Sequence, residues 1–308
     1  MSTVIRAEGV TKHYGPVHAL SELTVEITAG ITGLLGANGA GKTTLLGLIL
    51  GLHAPDTGRL EVLGADPATA GPRVRQRLGY GPEHDALPGS SRAQDLVRHV
   101  AELHGVPPRS ALTRASETLD LVGLGEERLR EIGTMSLGQR QRVKIAQAIA
   151  HDPDLVLLDE PTNGLDPLQR EQMLATITRI GQQLGISVLL ASHLVDEVER
   201  ICDRVVVLEA GRLTRAGEVA TLVSGDGEVL VEVDDAVAPL AEALAGAGVR
   251  AQPVSPTGAL VAVDDERVLD LVRDTVVDLE LGLRRLSART GRLAERVFDL
   301  DAPLGGHE

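Results

Sequence analysis

Eight residues carry the first piece of chemistry. Gly36 to Thr43 read G-A-N-G-A-G-K-T, with Ile31 to Leu35 before them and Leu45 to Leu52 after. The order is strand, glycine loop, helix, and the spacing fits G-x-x-x-x-G-K-[ST]. Gly36, Gly39 and Gly41 permit backbone angles that turn successive N–H groups toward one anion, and the helix adds its positive N-terminal end. Asn38, Ala40 and Thr44 complete the nucleotide-binding set in and just after the loop. Lys42 is placed to bridge the outer phosphates as a point charge, and the Thr43 hydroxyl to ligate Mg²⁺. Only Lys12, Lys42 and Lys144 are lysines among 30 basic residues, which makes a lysine inside the loop informative.

A second set lies downstream. Leu155 to Leu158 is a continuous apolar run ending in Asp159-Glu160, the pattern of a strand buried on both faces of a parallel sheet with its acids at the ligand-binding end. Asp159 is the expected Mg²⁺-side acid, and Glu160 is placed to activate an attacking water as general base. Ser136 is placed as an N-cap with Gln139 three residues on, as in a capping box, so that Ser136 and Gly138 make a second anion site at a helix N-terminus.

The elements that must position these groups follow from periodicity and punctuation. Val4 to Val10, Leu23 to Ile27 and Arg59 to Leu63 read as strands of an antiparallel layer. Asp95 to His104 and Ser110 to Val122 have helical spacing and suggest a helical subdomain, about residues 84–150, inserted into the nucleotide-binding core. Gln139 to Ala150 is a helix, followed by alternating buried strands (Leu155 to Leu158, Ser187 to Leu190, Arg204 to Leu208) and helices (Gln169 to Leu184, Val195 to Cys202). That alternation predicts an α/β fold with a mostly parallel sheet. The pattern changes at Thr221 to Asp226; beyond it, residues 225–308 read as a small α+β domain ending in a helix at Arg292 to Leu300.

In this order the motifs resemble the ATP-binding subunit of ATP-binding cassette (ABC) transporters, over about residues 3 to 218. M-S-L-G-Q at Met135 to Gln139 is similar to the family signature L-S-G-G-Q, N-G-L-D-P at Asn163 to Pro167 to its D-loop, and A-S-H at Ala191 to His193 to its switch histidine. Tyr14, one of three aromatic residues with Tyr80 and Phe298, sits where the adenine-stacking aromatic belongs. The run Ser192 to Val205 and the trailing domain most resemble subunits of two-component drug and polysaccharide exporters. The resemblance implies a P-loop NTPase (RecA-like) core in residues 1–220, ATP and Mg²⁺ as ligands, and two copies sandwiching two ATP molecules head to tail. Ser136, Gly138 and Gln139 of one copy would then close the phosphate loop of the other. It further implies that His193 contacts the γ-phosphate, that Asp166 crosses the dimer interface, and that a separate transmembrane permease docks near Glu83 to Asp95 at the cytoplasmic face of the membrane.

Two departures from the family pattern carry expectations. Glu83, in G-Y-G-P-E, stands where the family has a glutamine; a carboxylate reaches Mg²⁺ but repels the γ-phosphate unless the metal screens it. Leu137 replaces a signature glycine, with Ser136 and Gly138 retained.

Composition bounds the alternatives. The 308 residues suffice for one large and one small domain, and a net charge of −14 argues against a protein whose work is gripping nucleic acid. One cysteine, Cys202, excludes an internal disulfide framework. There is no apolar run of 18 residues and no secretory-type N-terminus, so a membrane role must come through a partner. The rival readings are a soluble cassette ATPase acting on ribosomes, DNA or cofactor assembly, and a regulatory module that binds nucleotide without hydrolysing it. The first usually carries paired cassettes, coiled coils or basic arms; the second conflicts with the presence of Lys42, Asp159, Glu160 and His193.

Overall fold

A computed structural model describes residues 2–84, 87–223, 228–263, 265–288 and 293. The chain divides into two compact units, 1–218 and 219–308.

The first unit opens with β1 (Thr3–Tyr14) and β2 (Val17–Thr28), an antiparallel hairpin whose buried face includes Ile5, Ala7, Val25 and Ile27. β3 (Ile31–Leu35), buried at every position, leads through the glycine loop into α1 (Lys42–Ile49), and β4 (Thr57–Val62) returns to pair with β1. After α2 (Gly71–Arg75) and β5 (Leu78–Gly81) come α3 (Ala93–Leu103), α4 (Pro108–Leu121) and α5 (Leu137–Ile149). These last three pack on one another, and fully buried alanines at positions 101, 111 and 115 let α3 and α4 approach closely. The unit closes with β6 (Leu155–Asp159), α6 (Pro167–Gln183), β7 (Ser187–Ser192), α7 (Val195–Ile201), β8 (Arg204–Glu209) and β9 (Arg212–Glu218).

Two sheets result, β2-β1-β4 and β5-β6-β7-β3-β8-β9. The larger is parallel from β5 through β8, and β9 joins its edge antiparallel. One apolar cluster spans both sheets, holding Val10, Leu23 and Leu60 from the smaller, Leu34, Leu157 and Leu189 from the larger, and Leu45, Leu48 and Ile49 of α1. The parallel pairing of β6, β7 and β3 matters most for function. It brings Asp159, Ser192 and the exit of β3 to the same sheet edge, where open α/β folds bind ligands.

In the second unit α8 (Val219–Val223) precedes β10 (Glu228–Val233), α9 (Ala238–Gly246), β11 (Ala251–Ser255), β12 (Gly258–Ala262), α10 (Glu266–Asp278) and β13 (Leu283–Ala288). The sheet order β11-β12-β10-β13, antiparallel throughout, is the split-βαβ, ferredoxin-like arrangement. Val231, Val233, Leu240, Leu244, Val261 and Val272 make its core. The helix predicted at Arg292 to Leu300 lies outside the described residues, apart from Leu293, which is helical.

Candidate functional site

The loop between β3 and α1 is built around Gly41, the N-cap of α1. Its φ of 104° is left-handed, and a Cβ there would stand 2.6 Å from the Ala19 carbonyl oxygen, so only glycine fits. No side chain caps α1, which leaves its first N–H groups for a ligand. The loop lines a cavity of about 440 Å³. Ala37, Asn38, Gly39, Gly41, Lys42, Thr43 and Thr44 line it from the loop, Tyr14, Val17, His18 and Ala19 from the β1–β2 hairpin, and Glu83, Asp159 and Glu160 supply acids. Gly36 and Ala40 support the loop: Gly36 accepts a hydrogen bond from Lys42 Nζ at 2.6 Å, and Ala40 N–H donates to the Ala37 carbonyl at 3.0 Å. Tyr14, one of the residues that line the cavity, is 43% exposed and edge-on to His53.

Behind the loop the charged groups interlock. Lys42 Nζ lies 3.3 Å from Glu160 Oε1, and both side chains are almost fully buried. Glu160 Oε2 accepts from His193 Nδ1 at 2.8 Å, which places the proton of that contact on Nδ1. Glu160 follows β6 directly and has φ 47°, a left-handed conformation that costs a non-glycine residue about 1–2 kcal/mol. Its N–H donates to the Ala191 carbonyl at 2.9 Å, which ties this turn to β7. Burial, then the charges of Glu83 and Glu160, push the Asp159 carboxyl up to about 6. Negative charge in the cavity is thus under-compensated by Lys42 alone, and the site fits a divalent cation. Among the described residues no three His, Cys, Asp or Glu side chains are grouped to hold a metal by themselves. A cation at Thr43 and Asp159 would complete its shell with phosphate oxygens and water, as Mg²⁺ does.

The remaining predicted residues lie elsewhere. Ser136 caps α5, accepting from Gln139 N–H at 3.3 Å while its own N–H donates to Gln139 Oε1 at 3.0 Å, so both halves of the capping box are present. Ser136, Gly138 and Gln139 line a different cavity of about 340 Å³, shared with Asp166, which caps α6 by accepting from Gln169 N–H. None of these four lines the phosphate-loop cavity. One chain therefore holds the two predicted sets of residues in two separate cavities.

Sequence reasoning missed two residues. Asn163 Nδ2 donates to Glu83 Oε1 at 3.2 Å, and buried Lys144, on α5, donates to the carbonyls of Glu83 at 2.8 Å and Pro82 at 3.1 Å. The scarcity of lysine, which singled out Lys42, also pointed to Lys144.

Comparison with known proteins gives a consistent answer. The family model for ABC transporters matches residues 20–163. The bacitracin transport ATP-binding protein BcrA of Bacillus licheniformis is 35% identical over 214 residues, covering 69% of each chain. The methionine import ATP-binding protein MetN of Mesorhizobium japonicum is 36% identical over 221 residues, 70% of this chain and 60% of MetN. Among solved structures, cbiO1 of Clostridium perfringens, described as part of the ABC transporter complex cbiONQ, superimposes with a TM-score of 0.67 at 27% identity, over 73% of this chain and 92% of cbiO1.

Proposed function

The chain belongs to the ABC transporter family of ATP-binding, ATP-hydrolysing subunits, and from that premise we propose that it powers export through a separate membrane subunit as one half of a two-site ATP sandwich. The observation that carries this reading is the separation of the two cavities, phosphate loop in one and capped signature turn in the other. A single chain leaves each nucleotide contacted on one side; a head-to-tail pair closes both sites with the same two surfaces. Export is supported by the resemblance of the Ser192 to Val205 run to exporter subunits, and a transport role by the similarity to BcrA, a bacitracin transport ATP-binding protein by its description. MetN, an importer by its description, makes the direction of transport in sealed vesicles the deciding measurement.

Within each site Tyr14 stacks on the base, while Asn38, Gly39, Gly41 and Lys42 hold the phosphates. Thr43, Asp159 and Glu83 would hold Mg²⁺, which supplies charge neutralisation at the β- and γ-phosphate oxygens. Glu160 takes the proton of the attacking water, and His193, bonded to it, orients both toward the γ-phosphate. The partner's Ser136 and Gly138 donate to the γ-phosphate from the far side, and Asp166 lies at the interface. Among the described residues no helix is long and apolar enough to cross a membrane, so attachment to the cytoplasmic face comes through the permease. The net charge of −14 favours no nucleic-acid partner.

Complementation tests the sandwich. Lys42→Ala and Ser136→Arg chains should each be inactive alone. Mixed, half the dimers are heterodimers with one intact site of two, so about a quarter of the wild-type rate should return if the sites act independently, and about a fortieth if turnover in one site depends tenfold on the other. No recovery in a mixture shown to contain heterodimers rules out shared sites.

Glu83 gives a second expectation. Glu83→Gln retains an oxygen to accept from Asn163 but removes a charge that faces Asp159. ATP measured without Mg²⁺ should bind about 3- to 10-fold tighter. Affinity and hydrolysis both unchanged would show that Glu83 does not repel the nucleotide.

A further inference from the structure

We propose that Lys144 is a positioning residue through which the two half-sites of one chain communicate: it fastens the signature helix to the Glu83 turn and, through that turn, to Glu160. The proposal rests on the two-site reading above. Lys144 lies eight residues beyond the Ser136 cap, about 12 Å along α5. It is 3% exposed, and an ammonium at that depth is tolerated only when hydrogen-bonded. Its Nζ meets that requirement with the main-chain carbonyls of Pro82 and Glu83, so α5 grips the backbone that carries the Glu83 carboxylate.

The contact chain continues to the reacting acid. Glu83 Oε1 accepts from Asn163 Nδ2 at 3.2 Å, and Asn163 N–H donates to the Glu160 carbonyl at 3.1 Å. The other end of α5 touches the same loop: Leu137 approaches Gly164 so closely that a Cβ there would stand 2.8 Å from Leu137 Cδ2. Gly164, with φ 76°, also needs glycine for its backbone. The loop that follows Glu160 is therefore braced by the signature helix at Leu137 directly and at Lys144 through Glu83. When Ser136 engages the partner's nucleotide, a shift of α5 moves Glu83 and Glu160 in its own site. The result is cooperativity between the two ATP sites, carried by a contiguous set of contacts.

The test uses the full chain with Lys144→Met, which keeps the stem and removes the ammonium, and Lys144→Arg, which keeps donors. For wild type, a Hill coefficient above 1 for ATP hydrolysis is expected. Lys144→Met should leave KM within about threefold, lower kcat about tenfold or more and bring the Hill coefficient to 1, and Lys144→Arg should restore part of both. Thermal melting of each variant reports the folded fraction. The proposal is overturned if wild type shows a Hill coefficient of 1, or if Lys144→Met keeps the wild-type kcat and Hill coefficient. It is also overturned if kcat falls only in proportion to folded protein with the Hill coefficient unchanged, the mark of a purely structural lysine. Failure of the Lys42→Ala and Ser136→Arg mixture to complement removes the two-site reading instead, so the two failures are distinct.

Discussion

Glu160→Gln is expected to slow ATP hydrolysis by about 10²- to 10⁴-fold, the usual worth of a general base, while ATP still binds. The geometry explains why the two effects separate. Glutamine has the shape of glutamate and retains an oxygen to accept from His193 Nδ1, so the left-handed turn at Glu160 and its tie to Ala191 can stay in place. What is lost is the basic oxygen that takes the proton from water, together with the charge 3.3 Å from Lys42 Nζ. Lys42 then has no carboxylate at that distance competing with phosphate for its ammonium. Nucleotide should be held at least as tightly as in wild type, and the closed pair of chains, unable to hydrolyse, should accumulate. Size-exclusion chromatography with Mg-ATP reads this directly as a shift from monomer to dimer. A mutant that stays monomeric and turns over like wild type would show that Glu160 is not the base and that ATP does not close a dimer.

How much of this site is legible in the sequence depends on whether a residue's role is local. β6 can be read because a strand buried on both faces is a continuous apolar run, β3 because it leads into the glycine loop, β7 from its apolar centre Val188 to Ala191, and the Ser136 cap because a capping box spans only four residues. β5 is not legible: Leu-Gly-Tyr-Gly has no alternation, and only its pairing with β6 makes it a strand. β9 reads R-L-T-R-A-G-E, a polar stretch recruited to the sheet edge by β8, where half its side chains face away from the core. β1 and β2 run well past Val4 to Val10 and Leu23 to Ile27, because cross-strand pairing carries the polar residues Lys12 and His13 as far as Tyr14. The same limit applies to chemistry. Lys42, Asp159 and Glu160 stand in motifs whose spacing encodes their roles. Lys144 and Asn163 act across 61 and 80 residues of sequence, at contacts that only the folded chain creates.

Lys42→Ala should give the opposite phenotype to Glu160→Gln: loss of binding first, and of turnover as a consequence. Lys42 is 6% exposed at the head of α1, and its Nζ is aimed by the Gly36 carbonyl at 2.6 Å. A charge-assisted hydrogen bond contributes about 1.5–3 kcal/mol, so losing one to phosphate weakens ATP about 10- to 100-fold. Alanine also strips Glu160 of the cation at 3.3 Å, leaving a buried carboxylate facing Asp159 and Glu83 across the phosphate site. Repulsion of the incoming nucleotide adds to the lost contact, placing the expected deficit at the upper end of that range. Lys42→Arg separates charge from shape: it restores the positive charge, but a planar guanidinium replaces the compact ammonium between the Gly36 carbonyl and Glu160, so it should recover little binding. Equilibrium titration with a fluorescent ATP analogue reads all three proteins. If Lys42→Ala binds within about threefold of wild type, the loop does not hold phosphate through this lysine. If Lys42→Arg restores full affinity, the requirement is for charge alone, and the fixed geometry around Nζ is not what the site selects.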